Sequence, residues 1–478
     1  MHVVSYRREV ASSPASERFR RLFGLVLLLL GLTHAVRVNA QAPPPADSAA
    51  RDSAAARLSV DSLAARLGRA EAAVELLRRQ LATEASSAVR TRSRLQVELW
   101  AQVLLNGFAS IGPLNSAEVP TFATNEPAAT AGVTPPATQA LGMSLRQSRV
   151  GVSLAVDSVL GGTFAADVEL DFFAGGAASS TVQYLFPQPR LRTATFTLRW
   201  PRTELFIGSE SPLISGLNPV SVASVGIPGF ADAGNLWYWL PQLRVTREIA
   251  STSIGETSLR WALQGSILAP YAGVVQANEE YGVDAGERAA RPYLEARLRA
   301  RWGPDETDVA TGAGRHDEGG EIGVGVHQGW IRLSADSLTT NEAVSVDARV
   351  GLHHGLELRG EAYQGRALAG LGGGGIGQNF GAPATGATFG PPLRDTGGWV
   401  QLNWRANPTL LTGAGCGIDA ADVDDRPVRQ RNESCAAHLQ WRPVQPLLFG
   451  IEYRQLRTTY ATHVASGSQI TFVFGFEL

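Results

Sequence analysis

An alternation of apolar and charged residues with a period of two constrains the fold of this chain most strongly. Successive side chains of a β-strand point to opposite faces, so each such segment predicts a strand with one apolar and one charged face. Regular charges on the second face exclude a soluble β-sandwich, where that face would be buried. A barrel with lipid outside and water inside satisfies both faces. Clear examples are residues 149–156, 167–172, 195–200, 294–302, 356–361, 400–405 and 449–454.

About sixteen such segments follow Val97, an even number of the kind that bacterial outer-membrane barrels use. We therefore predict an all-β fold, a transmembrane antiparallel β-barrel over residues 97–478. Residues 199–202 and 405–408 are short links that predict periplasmic turns. Residues 212–241 are our candidate for an outer loop that folds inward and narrows the pore. The predicted outer loops, rich in glycine, proline and alanine, are 112–140, 212–241, 270–290 and 369–396.

The last predicted strand alternates to the carboxyl terminus, with Ile470, Phe472, Phe474, Phe476 and Leu478 on one face. A hydrophobic terminal residue after such alternation resembles the signal by which outer-membrane barrels are recognised for insertion, although that family usually ends in Phe. An edge strand with three phenylalanines on one face would be an aggregation hazard in a soluble sandwich.

Tryptophans stand at the ends of several predicted strands. Trp and Tyr are enriched where a membrane protein meets the lipid headgroups. We therefore predict an aromatic girdle that contains Trp200, Trp302, Trp404 and Trp441.

The first part of the chain has a different character. Residues 1–40 resemble a secretory signal peptide. Arginines precede an apolar run at 22–32, and small residues follow at 38–40, where a signal peptidase would cleave. The apolar run is shorter than the roughly 20 residues of a membrane-spanning helix, and an uncleaved anchor is the alternative. Residues 41–96 are predicted as a linker followed by a helical heptad segment, which indicates a periplasmic coiled coil between identical subunits. The alternative is a helix packed on the chain's own body.

Composition narrows the class of partner. Charged residues make up 18% of the chain, below the roughly 25% of soluble proteins. The 42 basic and 44 acidic residues give a net charge of −2, which does not indicate a nucleic-acid partner. The chain contains no lysine, so a cationic site in the pore must use guanidinium groups. These bind carboxylate or phosphate in a planar fork.

The only two cysteines, Cys416 and Cys435, flank a polar stretch. In an exported protein this pattern predicts a disulfide across a loop. Two thiols without clustered histidines do not make a zinc site, so we predict no metal site.

With a signal sequence, a heptad segment and a barrel in that order, the chain resembles the DcaP-like trimeric porins. The resemblance covers roughly residues 50–478. It implies a sixteen-stranded trimeric barrel, a periplasmic N-terminal coiled coil and uptake of small anions such as dicarboxylates. The cysteine pair departs from the family's pattern. The local matches are residues 148–151 (SRVG), 161–173 (GGTFAADVELDFF), 190–192, 206–208, 241–244, 432–434, 441–443 and 450–453.

These patterns predict passive diffusion of small anions through an arginine-lined lumen, in a homotrimer surrounded by outer-membrane lipid. Guanidinium groups attract anions, and facing carboxylates keep binding weak enough for release. Arg190 and Arg192 have the same parity as apolar Phe196, which predicts a bulge or a subunit contact. The candidate pore-lining residues are Arg149, Asp167, Glu169, Asp171, Arg190, Arg192, Arg199, Arg244, Glu295, Arg297, Arg299, Arg301 and Glu357.

Three other functions compete with this hypothesis. An outer-membrane enzyme would need a positioned nucleophile and base, but the chain has no Gly-x-Ser-x-Gly motif and its histidines form no recognisable site. We therefore predict neither an enzyme nor a cofactor. A structural tether to the cell wall is disfavoured by the arginine-rich face. A phosphate-selective porin stays open, because the sequence does not separate phosphate from carboxylate.

Overall fold

The computed structural model describes residues 95–124, 138–174, 187–254, 257–274, 282–303 and 319–478. All of them belong to one compact unit, Ser87–Leu478. The predicted signal peptide, linker and coiled coil lie outside the described residues, apart from the two residues that begin the first strand.

The described residues form a single sheet in which every neighbouring pair of strands is antiparallel. Consecutive strands pair with each other, and the last strand pairs with the first, so the sheet closes into a barrel. The strands are β1 (Leu95–Ile111), β2 (Gln139–Ser144), β3 (Arg149–Val159), β4 (Gly162–Ala174), β5 (Gln188–Trp200), β6 (Thr203–Glu210), β7 (Leu240–Ile254), β8 (Thr257–Leu268), β9 (Tyr293–Trp302), β10 (Gly320–Ser334), β11 (Ser337–Gly351), β12 (Leu356–Arg366), β13 (Arg394–Asn407), β14 (Leu410–Ala421), β15 (Arg429–Trp441), β16 (Leu447–Tyr460) and β17 (Val464–Glu477).

β2 and β3 are two parts of one interrupted strand. Both pair with the same edge of β1, where Asn106 lies opposite Ser144 and Gln102 lies opposite Arg149. The four residues 145–148 leave the ladder between them, and the Ser148 hydroxyl accepts a hydrogen bond from the β1 backbone at 2.9 Å. The barrel therefore has sixteen strands around its wall, as the sequence predicts.

The polarity of the barrel is the reverse of that of a soluble protein. Large apolar side chains face outward and are exposed, for example Leu141 at 87% and Phe472 at 56%. Polar and charged side chains face inward and are buried, for example Asp347 and Asn403. This distribution is the one that a membrane-spanning barrel requires, because lipid covers the apolar outer face.

The two ends of the barrel differ in the length of their connections. At the end that contains the start of β1, which we call the turn end, most links are short: 160–161, 201–202, 255–256, 352–355, 408–409 and 442–446. Residues 303–319 are the long link at that end. At the opposite, loop end lie the long segments 112–138, 175–187, 211–239, 269–292 and 367–393. This arrangement confirms the predicted separation of turns and loops. Residues 211–239 are named the inner loop below.

Helical structure in the described part of the chain is limited to short turns. No helix there is both long and apolar enough to cross a bilayer. The turns are Leu213–Ser215, Glu287–Ala289, His353–Gly355, Ala369–Leu371, Gly374–Gly377 and Val423–Asp425.

The predicted tryptophan girdle lies at the turn end. Trp200, Trp302 and Trp441 each end a strand, and Trp404 is three residues from the end of β13. Trp404 and Trp441 are nearly half exposed on the outer face. Trp441 also packs against the ring of Phe449, with ring centroids 5.4 Å apart.

Cys416 and Cys435 form the predicted disulfide, which joins the two strands on either side of the loop 422–428. The two residues lie directly opposite each other on β14 and β15, with their Cα atoms 4.1 Å apart. Both are exposed on the outer face. The polar stretch between them includes the connecting loop, residues 422–428, and the adjoining ends of the two strands.

Candidate functional site

The inner loop enters the barrel and contacts the wall first at β9 and β12. The Leu213 amide donates to Glu295 Oε2 on β9 at 2.5 Å. The Ser215 hydroxyl donates to both carboxylate oxygens of Glu361 on β12, at 2.7 and 2.8 Å. The Leu236 amide, near the other end of the loop, contacts the same carboxylate at 3.4 Å. These contacts hold both ends of the inner loop at one side of the lumen.

The middle of the inner loop reaches the wall at β13 and β16. Val220 exchanges two backbone hydrogen bonds with the Gln401 amide, whose Oε1 accepts at 2.7 Å and whose Nε2 donates at 2.9 Å. The Ser221 hydroxyl donates to Glu452 on β16. The inner loop therefore spans several strands of the wall.

The interruption between β2 and β3 provides a further anchor. Gln147 lies in this interruption and is fully buried. Its Oε1 accepts from the amides of Val225 and Gly226 at 2.8 and 2.7 Å, and its Nε2 donates to the Ala223 carbonyl at 3.2 Å. The break in the strand frees this side chain from the regular inward and outward alternation, so that it binds three groups of the inner loop.

Apolar contacts also hold the inner loop against the wall. They form two clusters, one at β1, β16 and β17 and one at β13. The prediction that residues 212–241 fold inward is confirmed. The clusters consist of Val222, Ala223 and Val225 with Leu104, Leu448 and Val473, and of Leu217, Phe230 and Ala233 with Trp399.

A first group of predicted pore residues meets on β3, β4 and β5. Glu169 lies between two arginines: Arg149 is 3.1 Å from its Oε1, and Arg192 pairs with the same oxygen. Arg190 forms a two-point contact with Asp171 and also donates to a carbonyl of the inner loop at 2.7 Å. This part of the wall is therefore a mixed group of guanidinium and carboxylate groups.

A β-bulge resolves the parity of Arg190 and Arg192. Thr193 lies opposite Glu169, whereas Leu191 lies opposite Leu170, so Arg192 is an extra residue in β5. The bulge reverses the alternation, and both arginines contact inward carboxylates although Phe196 faces outward. The sequence allowed either a bulge or a subunit contact at this position, and the structure has the bulge.

A second group lies on β8 to β11 and is centred on Arg297. Its Nε donates to Asp347 at 2.9 Å, and its guanidinium also contacts Glu321 at 3.2 Å and Gln264 at 2.8 Å. Arg301 lies 3.8 Å from the other oxygen of Glu321. Arg297 and Asp347 are both buried, so each depends on the other to neutralise its charge.

The remaining predicted residues also face the interior. Glu357 pairs with Arg359 at 2.6 Å. Glu295 contacts His327 at 2.9 Å as well as the inner loop. Arg244 donates to the Ser211 carbonyl at 2.9 Å, and Arg199 pairs with Glu204 at the turn end. By the alternation of β4 and β9, the exposed Asp167 shares the face of Glu169, and Arg299 shares that of Arg297. Their contribution to permeation stays a prediction.

Several inward charges were not among the predicted residues. Four of them lie in the segments 356–361 and 449–454, whose alternation already predicts a charged face, and the same period of two indicates most of the others. Arg146 is different, because it lies in the break between β2 and β3, where alternation has no meaning. These residues are Arg146, Arg349, Arg359, Arg454, Glu321, Asp347, Glu361 and Glu452.

Arg146 contacts Glu118 of the first long loop at 3.1 Å. Burial raises the pKa of Glu118, whereas the Arg146 charge acts in the opposite direction. The pair therefore attaches this loop to the wall at the β2–β3 break.

The solvent-accessible surface of inward side chains is unevenly distributed. On β5 and β9, Arg190 and Arg301 keep 28% and 21% of their side-chain surface exposed. On β12 and β16, where the inner loop packs, Arg359 and Arg454 keep only 6% and 5%. Arg190 and Arg301 are thus more accessible than Arg359 and Arg454, whereas Arg297 on β9 is as buried as those two.

Solved structures with a similar fold are outer-membrane channels. The outer membrane channel DcaP of Acinetobacter baumannii matches with a TM-score of 0.56 and 14% identity, over 82% of this chain and 100% of that one. An anion-selective porin from Comamonas acidovorans matches with a TM-score of 0.47 and 10% identity, over 80% and 100%. OmpF of Salmonella typhi, solved in complex with daunomycin, matches with a TM-score of 0.47 and 8% identity, over 81% and 100%. No protein-family model and no curated protein matches the sequence. The chain thus has the DcaP-like porin fold.

Proposed function

We propose that the protein is an outer-membrane porin through which small solutes diffuse passively. The observation that carries this proposal is the polarity of the closed barrel, with an exposed apolar exterior and a charged interior. A sixteen-stranded barrel is wide enough to leave an aqueous channel. The inner loop then narrows this channel instead of filling it.

The permeant solutes in this proposal are small anions, for example dicarboxylates. Arginines with accessible surface line the interior on β5 and β9, namely Arg190, Arg192 and Arg301. Each of these guanidinium groups has a carboxylate neighbour, which keeps anion binding weak enough for release. In this proposal the anion passes along the arginines of β5 and β9, beside the inner loop.

The assembly in this proposal is a homotrimer. The heptad segment within residues 41–96 forms a periplasmic coiled coil between the subunits, after cleavage of the signal peptide 1–40. The turn end of the barrel faces the periplasm, and the loop end faces outward.

A double substitution tests the arginine lining. We expect Arg192→Gln with Arg301→Gln to lower the ratio of anion to cation permeability on the order of two- to fivefold, because two charges leave a screened aqueous lumen. Each carboxylate partner keeps a second arginine: Glu169 still pairs with Arg149, and Glu321 still pairs with Arg297. Neither substitution therefore leaves an inward carboxylate without a cationic partner. The measurement is the reversal potential in a planar bilayer under a salt gradient.

Arg366→Gln is the matched control. Arg366 pairs with Glu342 on the outer face at the loop end, so its loss removes one charge without changing the lumen. An unchanged reversal potential in the double variant, or an equal shift in the control, would contradict the arginine lining.

A further inference from the structure

A groove with a volume of about 480 Å³ lies on the outer face of the barrel across β12 to β16. Its floor is made of small side chains on β14 and β15: Ala414, Cys416, Cys435 and Ala437. Leu402 on β13 and Tyr453 on β16 stand on its two sides. The disulfide therefore forms part of the floor of an apolar groove.

Two arginines stand directly above this groove, toward the loop end. Cys435 lies opposite Gln455, the next outward pair is Glu433 with Arg457, and Arg431 follows on β15. Glu433 contacts both guanidinium groups, that of Arg457 at 3.1 Å. The side chains of Arg457 and Arg431 remain 56% and 36% exposed. Two guanidinium groups share one carboxylate, so the cluster has a net positive charge.

The positions along β15 give the depth of these features in a membrane. Ten residues separate Arg431 from Trp441 of the girdle. At about 3.3 Å per residue and a strand tilt of about 40°, this separation is roughly 25 Å along the membrane normal. That distance matches the apolar band of an outer-membrane barrel, so Arg431 and Trp441 mark its two interfaces. On the same scale Ala437, six residues from Arg431, is roughly 15 Å below it, so the groove runs along the acyl chains of the leaflet at the loop end and reaches just past the bilayer midplane.

We propose that this groove binds one acyl chain of an anionic lipid whose phosphate lies between Arg431 and Arg457. Guanidinium groups bind phosphate oxygens in a planar fork. The small side chains of the floor let an acyl chain contact the barrel wall along its length. The polar Gln455 lies between the arginines and the apolar part of the groove. This inference rests on the proposed membrane location and goes beyond the transport function.

The experiment uses the full chain in lipid nanodiscs of equal phosphatidylglycerol and phosphatidylcholine. After transfer to a mild detergent, retained lipid is counted by native mass spectrometry. We expect about one phosphatidylglycerol for each wild-type chain and little phosphatidylcholine. We expect Ala437→Phe, which fills the groove, to reduce retention roughly fivefold, the effect of about 1 kcal/mol.

Ala296→Phe is the matched control, because Ala296 also faces outward, on β9 and away from the groove. Arg431→Gln with Arg457→Gln leaves the groove open and gives a second test if Ala437→Phe does not fold. Equal retention in Ala437→Phe and Ala296→Phe, or equal retention of the two lipids, would overturn the proposal. A loss of oligomer in Ala437→Phe with an unchanged lipid count would assign the groove to a second copy of the chain. Conductance of the same samples is a separate readout, so a failure of the porin function would not be mistaken for a failure of lipid binding.

Discussion

Replacing residues 213–236 with a short glycine–serine linker is expected to raise the single-channel conductance by at least about twofold, since a sixteen-stranded barrel without an inner loop leaves a wider aqueous channel. The inner loop is anchored to β9, β12, β13 and β16 and buries apolar residues against the wall. The shortened chain keeps the strands and loses the segment that obstructs the lumen. Single-channel recording in a planar bilayer measures the change.

The matched control shortens the exposed tip of another loop at the same end. Residues 382–387 are exposed, and their removal takes nothing away from the interior. We expect the conductance of this variant to equal that of the unaltered chain. If shortening the inner loop left the conductance unchanged or lowered it in a folded barrel, the inner loop would not be the constriction.

Arg297→Ala is expected to produce the largest loss of stability among single substitutions in the wall. Asp347 and Arg297 are both buried, and the substitution leaves the carboxylate of Asp347 without its main partner. Removing one member of a buried ion pair costs about 3–5 kcal/mol. The free energy of unfolding in urea, measured on the barrel in detergent micelles, tests this value.

Two comparisons separate this effect from a general effect of losing arginine. Arg199→Ala breaks a pair in which the arginine is 66% exposed, and it should cost less than about 1 kcal/mol. Arg297→Ala with Asp347→Ala removes both charges, and we expect it to recover a large part of the loss. Similar losses in Arg199→Ala and Arg297→Ala, or no recovery in the double variant, would contradict the buried network.

The wall of the barrel was predictable because the signal for each strand lies within that strand's own sequence. Each strand has its own alternation, and lipid on one side with water on the other imposes the same period on all of them. For this reason the terminal strand, the inward face of β9 and the girdle tryptophans were all identified from the sequence. The alternation also signalled the bulge at Arg192, since a reversal of parity within one strand requires an extra residue.

The interior contacts were not predictable because they depend on residues far apart in the chain. Gln147 meets Val225 across 78 positions, and Ser215 meets Glu361 across 146. The composition of residues 212–241 indicated a loop but did not specify its anchors. The disulfide was predictable from the two cysteines, but their position directly opposite each other on β14 and β15 depends on the strand register, which the sequence does not give.

The most direct test of the porin function is a recording of the purified full chain in a planar bilayer under a salt gradient. Our account predicts stable ion conductance that appears in groups of three steps, with a reversal potential that indicates anion preference. A protein that is shown to be folded and inserted yet conducts no ions would contradict the open channel on which the proposed function depends.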